Sequence, residues 1–124
     1  EFAVCHLGVE HIIVLGHSQC GGINALMAGS CGCTSDGFIS SWMSIAAPAR
    51  EKVLAELPGK DAKLQQRAAE QTAILLSLEN LRSFPWIDQR VKAGDLSLHG
   101  WYFDLNAGEL SEYQQVSGLF QKIN

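Results

Sequence analysis

The sequence predicts an α/β fold, a partial parallel sheet flanked by helices with an antiparallel edge strand. Three observations carry this. His11-Ile12-Ile13-Val14-Leu15 is a short, unbroken apolar run rich in β-branched residues. That is the pattern of a parallel strand buried on both faces. A second apolar run spans Leu96 to Leu105, and helical patterns fill the chain between the two. Such alternation is how parallel strands are joined.

Each element has its own signals. Glu1 to Leu7 reads as two turns of an amphipathic helix, closed by Gly8. The first strand is expected to stop at Gly16, and His17 to Gly22 forms a turn with Ile23 to Met27 continuing as a helix. Ala28 to Gly37 is a loop of small residues. Phe38 to Ala47 and Pro48 to Leu57 read as two short helices, with Pro48 suited to a first helical position. Asp61 to Leu81 is a long helix whose predicted inner face carries Leu64, Ala68, Thr72, Leu75 and Leu78. Pro85 opens a short helix that ends at Gly94. After the second strand, Asn106-Ala107-Gly108 is a turn, and Glu109 to Gln114 pairs back as the edge strand. The tail to Asn124 carries no clear pattern.

No repeat or linker divides the chain, so residues 1–124 are expected to form a single domain. The inventory is small for a sheet with two fully buried strands, and the chain opens inside a helix with no capping residue before it. Both features lead to the expectation of the later part of a larger α/β unit, or of one completed by another chain.

Composition narrows the function. Apolar residues make up 47% and charged residues 18%, which excludes a disordered tail. Nine Lys and Arg against thirteen Asp and Glu give a net charge of −4, which argues against a nucleic-acid surface. No apolar run approaches the ~20 residues needed to cross a bilayer, so no membrane span is expected. Cys31 and Cys33 are too close to pair with each other without strain, and so apolar a domain does not need covalent staples. Reduced thiols and a cytoplasmic setting are expected.

The stretch that carries chemistry is His17-Ser18-Gln19-Cys20-Gly21-Gly22. It lies where a parallel strand ends and a helix begins, the place where open α/β sheets bind ligands. His17 and Cys20 sit three positions apart, and imidazole nitrogen and thiolate sulfur are zinc ligands. Gly21 and Gly22 let the backbone approach a small bound group, and helix-start amides favour an anion. On spacing alone, His-x-x-Cys is more often two unrelated residues than half a metal site. The strand-end position and the paired glycines bring the two readings level.

The run from Glu1 to Ala25, with Leu7-Gly8-Val9 leading into the strand and then His17-Ser18-x-Cys20-Gly21-Gly22, resembles the β-class carbonic anhydrases. Leu96-Ser97-Leu98-His99-Gly100-Trp101-Tyr102-Phe103-Asp104 is similar to that family's late strand. The resemblance implies the later part of the β-carbonic anhydrase fold. It implies zinc as cofactor, with His17 and Cys20 as two of its ligands and Gly21 and Gly22 beside the substrate. It implies reversible hydration of carbon dioxide to bicarbonate, in a homo-oligomer of two or more chains. The family's first ligand belongs to a Cys-x-Asp-x-Arg motif, whose Asp–Arg pair works on the zinc-bound water, and no such motif occurs in these residues. The resemblance therefore implies no catalytic residue here, and little or no activity from this chain alone. Some members carry Tyr near the Phe103 position within a bicarbonate pocket; Phe103 has no hydroxyl, so that pocket is not predicted.

Other donors have simpler readings. Cys5 reads as a buried structural thiol, Cys31 and Cys33 as free loop thiols, and His6 as a residue near a helix end. His11 begins a strand, and His99 reads as a hydrogen-bonded core residue. Trp42, Trp86, Trp101 and Phe103 read as packing. Two rival functions stand beside the enzyme: a non-catalytic fragment or pseudoenzyme that self-associates through an exposed strand edge, and nucleophilic chemistry at Cys20.

Overall fold

The computed structural model describes residues 1–29 and 37–124. Its centre is a four-stranded sheet in the order β1-β2-β3-β4. β1 (His11–His17) and β2 (Ser97–Asp104) run parallel, with His11 opposite Ser97 and His17 opposite Phe103. β3 (Glu109–Gln114) and β4 (Leu119–Lys122) add on antiparallel.

The α/β class expected from the sequence is therefore found, with two corrections to its strands. Glu109–Gln114 is not the edge, because the unpatterned tail pairs outside it as β4. β1 is not buried on both faces. Among the described residues it is itself an edge strand, and Ile13 and Leu15 are 47% and 61% exposed. Its apolar run reflects two hydrophobic faces, but the helices of these residues cover only one.

That one face belongs to α5 (Ala62–Arg82). A Cβ built on Gly16 would lie 2.7 Å from Ile74 Cδ1, and one on Gly100 would lie 3.0 Å from Leu78 Cδ1. Gly16 thus does not stop the strand as expected. It sits within β1 as the point where the helix presses on the sheet, and the strand runs on to His17. Asp61 is the N-cap of α5, its carboxylate accepting the N–H groups of Lys63 and Leu64. The fully buried line of α5 is Ala69, Glu70 and Ile74; of the expected inner face, Ala68 packs against a core cluster and Leu78 meets the sheet at Gly100, whereas Leu64 is 48% exposed. A polar residue at a buried position, Glu70, hid that line from hydrophobic periodicity.

The remaining helices are α1 (Phe2–Cys5), α2 (Gly21–Ala28), α3 (Phe38–Met43), α4 (Ala47–Glu56) and α6 (Pro85–Ala93). A 3-10 turn over Ser44–Ala46 joins α3 to α4, and Pro48 lies in the first turn of α4 as expected. α6 ends at Gly94, whose φ of 82° is a left-handed conformation that glycine adopts without penalty.

Two hydrophobic clusters form. One joins Ile23 and Leu26 of α2 to Met43, Val53 and Ala69, with Cys20 packed against it. The other joins Val4, Ile87 and Leu96, with Trp86 against it. Two packing expectations fail. Cys5 is exposed, because one-turn α1 buries only Val4. Trp42 is 67% exposed, because α3 turns Met43 inward instead. Among the described residues no helix is long and apolar enough to cross a membrane.

Candidate metal centre

His17 is the last residue of β1, and Cys20 is the N-cap of α2. Ser18 and Gln19 make the turn between them. Gln19 has a φ of 59°, a left-handed conformation uncommon for a residue with a side chain. Such a conformation costs on the order of 1–3 kcal/mol and persists when its surroundings hold it.

Here they do. The Ser18 N–H donates to the Phe103 carbonyl at 2.9 Å, and Ser18 Oγ accepts the N–H of Leu105 at 2.9 Å. Gln19 Nε2 donates to Asn106 Oδ1 at 3.0 Å. The Cys20 N–H donates to Glu70 Oε1 at 3.0 Å. The far end of β2 thus grips the first half of the turn, and α5 grips the second.

The same contacts shape the two donors. His17 Nδ1 lies 2.8 Å from the Ser18 carbonyl oxygen. A carbonyl can only accept, so Nδ1 carries the proton. In the neutral ring Nε2 then keeps its lone pair, the usual arrangement of a metal-ligating imidazole. Cys20 is a free, partly buried thiol. The two glycines differ in role. Gly21 has open space where a side chain would be, whereas a Cβ on Gly22 would lie 2.8 Å from Met43 Sδ. Gly22 therefore admits Met43 to the first core.

Beside the turn opens a cleft of ≈ 460 Å³, lined among others by Gly21, Lys63, Arg67 and Asp104. The Asp104 carboxyl is held below its ordinary range, first by the N–H groups of Ala107 and Asn106 and then by Arg67. At its back lie Glu70 and Tyr102, 3% and 1% exposed. The Tyr102 hydroxyl is pushed well up by burial and by its hydrogen bond to Glu70. Glu70, Tyr102 and the Ser18 hydroxyl were not singled out from the sequence. Their partners are far away along the chain, and a lone Glu in a helix carries no local signal.

The other expected donors lie elsewhere. His6 stacks on Phe2 with ring centroids 5.0 Å apart. His11 Nδ1 lies 3.0 Å from His99 Nε2, and His99 Nδ1 lies 2.6 Å from Glu112 Oε1. His99 is thus hydrogen-bonded as expected, but on the sheet face away from α5 and only partly buried. Cys31 and Cys33 lie outside the described residues. Among the described residues, no group of three or more His, Cys, Asp or Glu side chains is placed to hold a metal ion. His17 and Cys20 are donors of the type that zinc takes, but they are two where a catalytic zinc site uses three protein ligands.

The sequence profile of the carbonic anhydrase family matches residues 1–110. The chain belongs to the β-class carbonic anhydrases. It is 41% identical over 104 residues to the chloroplastic β-carbonic anhydrase 5 of Arabidopsis thaliana, covering 84% of this chain and 35% of that protein. β-Carbonic anhydrase 3 of the same plant is 36% identical over 110 residues, covering 87% of this chain and 43% of that protein. The structure of the β-carbonic anhydrase CcaA superposes with a TM-score of 0.92 at 31% identity, covering all of this chain and 56% of the other. A tetrameric β-carbonic anhydrase of Sordaria macrospora superposes with a TM-score of 0.78 at 27% identity, over 98% of this chain and 58% of that one. The chain thus spans between about a third and just over half of these relatives. β-Carbonic anhydrases are in general zinc enzymes.

Proposed function

We propose that this chain carries the His–Cys arm of a β-carbonic anhydrase zinc site, whose reaction is the reversible hydration of carbon dioxide to bicarbonate. The observation that carries this reading is the hydrogen bond of His17 Nδ1 to the Ser18 carbonyl, at the end of a parallel strand and three positions from the free thiol of Cys20. When bound, zinc supplies Lewis acidity and lowers the pKa of a water molecule. The chain's own residues hold two donors, fix the His17 tautomer and clamp the turn. With a third donor outside the described residues, no chemical step is assigned to them. Gly21, facing open space, suits the approach of carbon dioxide or bicarbonate, while Gly22 keeps the turn close to α3.

A homo-oligomer of two or more chains belongs to this proposal, supported by the tetrameric Sordaria macrospora enzyme. A reducing, cytoplasmic setting belongs to it too, because Cys20 must stay a thiolate to serve as ligand. The test is zinc content per chain with reductant present, together with carbon dioxide hydration, for this chain and for one extended by the family's Cys-x-Asp-x-Arg segment. The extended chain is expected to hold one zinc and to hydrate carbon dioxide, and this chain alone to be inactive or nearly so. An extended chain that binds zinc but has no hydratase activity overturns the proposal.

A second reading, self-association without chemistry, is favoured by one observation: β1 is an edge strand with Ile13 and Leu15 exposed. It predicts oligomers in metal-free protein by light scattering, and a metal-free monomer overturns it.

A further inference from the structure

A buried carboxylate lies behind the turn, outside the His17–Cys20 donor pair. Glu70 lies in the middle of α5 and is 3% exposed. Its Oε1 accepts the Cys20 N–H and Gln66 Nε2, each at 3.0 Å, and its Oε2 accepts the Tyr102 hydroxyl at 2.8 Å. Burying a carboxylate is costly unless its oxygens are satisfied, and here they are. The array continues outward, with the Arg67 guanidinium 5.3 Å from the Tyr102 ring centroid and paired to Asp104 at 3.1 Å.

Apolar side chains would fill this space at lower cost, so the arrangement calls for a reason. Among the described residues, the one main-chain group that Glu70 holds is the N–H of Cys20. On the other side of that residue, the Cys20 carbonyl accepts the N–H of Asn24 and starts α2. Cys20 is therefore fixed at both of its peptide groups, by Glu70 on one side and by its own helix on the other. His17 has no link to Glu70; the Ser18 carbonyl and the end of β2 hold it. The two donors are thus anchored independently.

We infer that Glu70 is a positioning residue, which sets the placement of the Cys20 thiol through the Cys20 main chain, with Tyr102 as its buttress. This rests on the reading of the turn as half of a zinc site. Loss of Glu70 releases the Cys20 arm and leaves the His17 arm in place.

Two variants test this. Glu70→Gln keeps an acceptor oxygen for the Cys20 N–H. The double variant Glu70→Leu with Tyr102→Phe removes both buried polar partners together, which keeps the core apolar and the fold intact. The first readout is amide hydrogen exchange on metal-free protein. In the double variant the Cys20 amide is expected to exchange about tenfold faster, the size of one lost hydrogen bond. Amides inside β2 and α5, and the His17 Nδ1–H signal, stay as they were. In Glu70→Gln the Cys20 amide stays protected.

The second readout is cobalt(II) titration of the protein extended by the Cys-x-Asp-x-Arg segment, followed through the thiolate-to-cobalt charge-transfer band. The double variant is expected to lose about ten- to a hundredfold in affinity, and Glu70→Gln to restore most of it. Unchanged Cys20 exchange in a folded double variant overturns the inference, and so does unchanged cobalt affinity. If exchange rises as expected but the unsubstituted protein shows no cobalt–thiolate band, the metal reading fails and the clamp on Cys20 stands.

Discussion

Nδ1 of His17 lies 2.8 Å from the carbonyl oxygen of its neighbour Ser18, so one end of the imidazole is committed to donating and Nε2 is left with its lone pair. Very little chain is spent on this, because the acceptor belongs to the turn that leads to Cys20. His17→Ala and Cys20→Ser are each expected to remove zinc from the extended chain after dialysis, as read by elemental analysis. His6→Ala and Cys5→Ser are expected to leave zinc content unchanged, since His6 is stacked on Phe2 and Cys5 is exposed on α1. Zinc lost on Cys5→Ser would show that the donor set differs from the one assigned.

Gly16 governs how closely α5 approaches the strand that ends in His17. A methyl group there would lie 2.7 Å from Ile74 Cδ1 and 2.8 Å from Ile74 Cγ1. Gly16→Ala is therefore expected to destabilise the fold by about 1–3 kcal/mol, as overpacking does. Ile74→Ala opens a cavity and costs about 2–5 kcal/mol by itself. Combined, the two are expected to cost less than their sum, since the new methyl group occupies the space left by Ile74. Urea denaturation of both single variants and the double variant measures this, and simple additivity would remove the steric account.

The parts of this architecture that announce themselves in the sequence are those with local causes. β1 shows as a β-branched run, α6 is bracketed by Pro85 and Gly94, and Asp61 marks the start of α5. What stayed hidden is tertiary. β4 has only Leu119 and Phe120 as apolar residues, and it is a strand because β3 offers a partner edge and because Phe120 packs on Tyr113 with centroids 5.5 Å apart. Periodicity shows Ala68 and Leu78 on the inner face of α5 but not Glu70, which is buried there through hydrogen bonds to partners as far as fifty positions away. The site divides in the same way. Motif and strand end mark His17 and Cys20 as candidates, whereas Glu70, Tyr102 and Ser18 Oγ reach the turn only once the fold brings them there.

The open face of β1 predicts a solution property. Ile13 and Leu15 point away from α5 on an edge strand, 47% and 61% exposed. Ile13→Thr with Leu15→Thr places β-branched strand formers at both positions and removes apolar surface. The pair is expected to raise the monomer fraction in analytical ultracentrifugation, with little change in thermal midpoint because neither residue lies in a core cluster. An unchanged oligomer distribution would place self-association on another surface.

Acid stability follows from carboxyls held low in the folded chain. Glu112 is depressed from an ordinary value of 4.5, chiefly by the hydrogen bond from His99. Asp104 is depressed from 3.8, chiefly by the N–H groups of Ala107 and Asn106. A carboxyl with a lowered folded pKa contributes stability that is fully present above its ordinary value and is lost as pH falls through the lowered one. Stability is therefore expected to hold above about pH 5 and to fall as acid takes the solution below the ordinary carboxyl range. Glu112→Gln keeps an acceptor for His99 but cannot titrate. It is expected to cost on the order of 1 kcal/mol or less at neutral pH, as partly exposed pairs do, and to make the acid limb shallower. Urea midpoints from pH 7 to pH 3 measure both effects. An acid limb as steep as that of the unsubstituted protein would mean that the link from β2 to β3 through His99 and Glu112 contributes nothing to acid sensitivity.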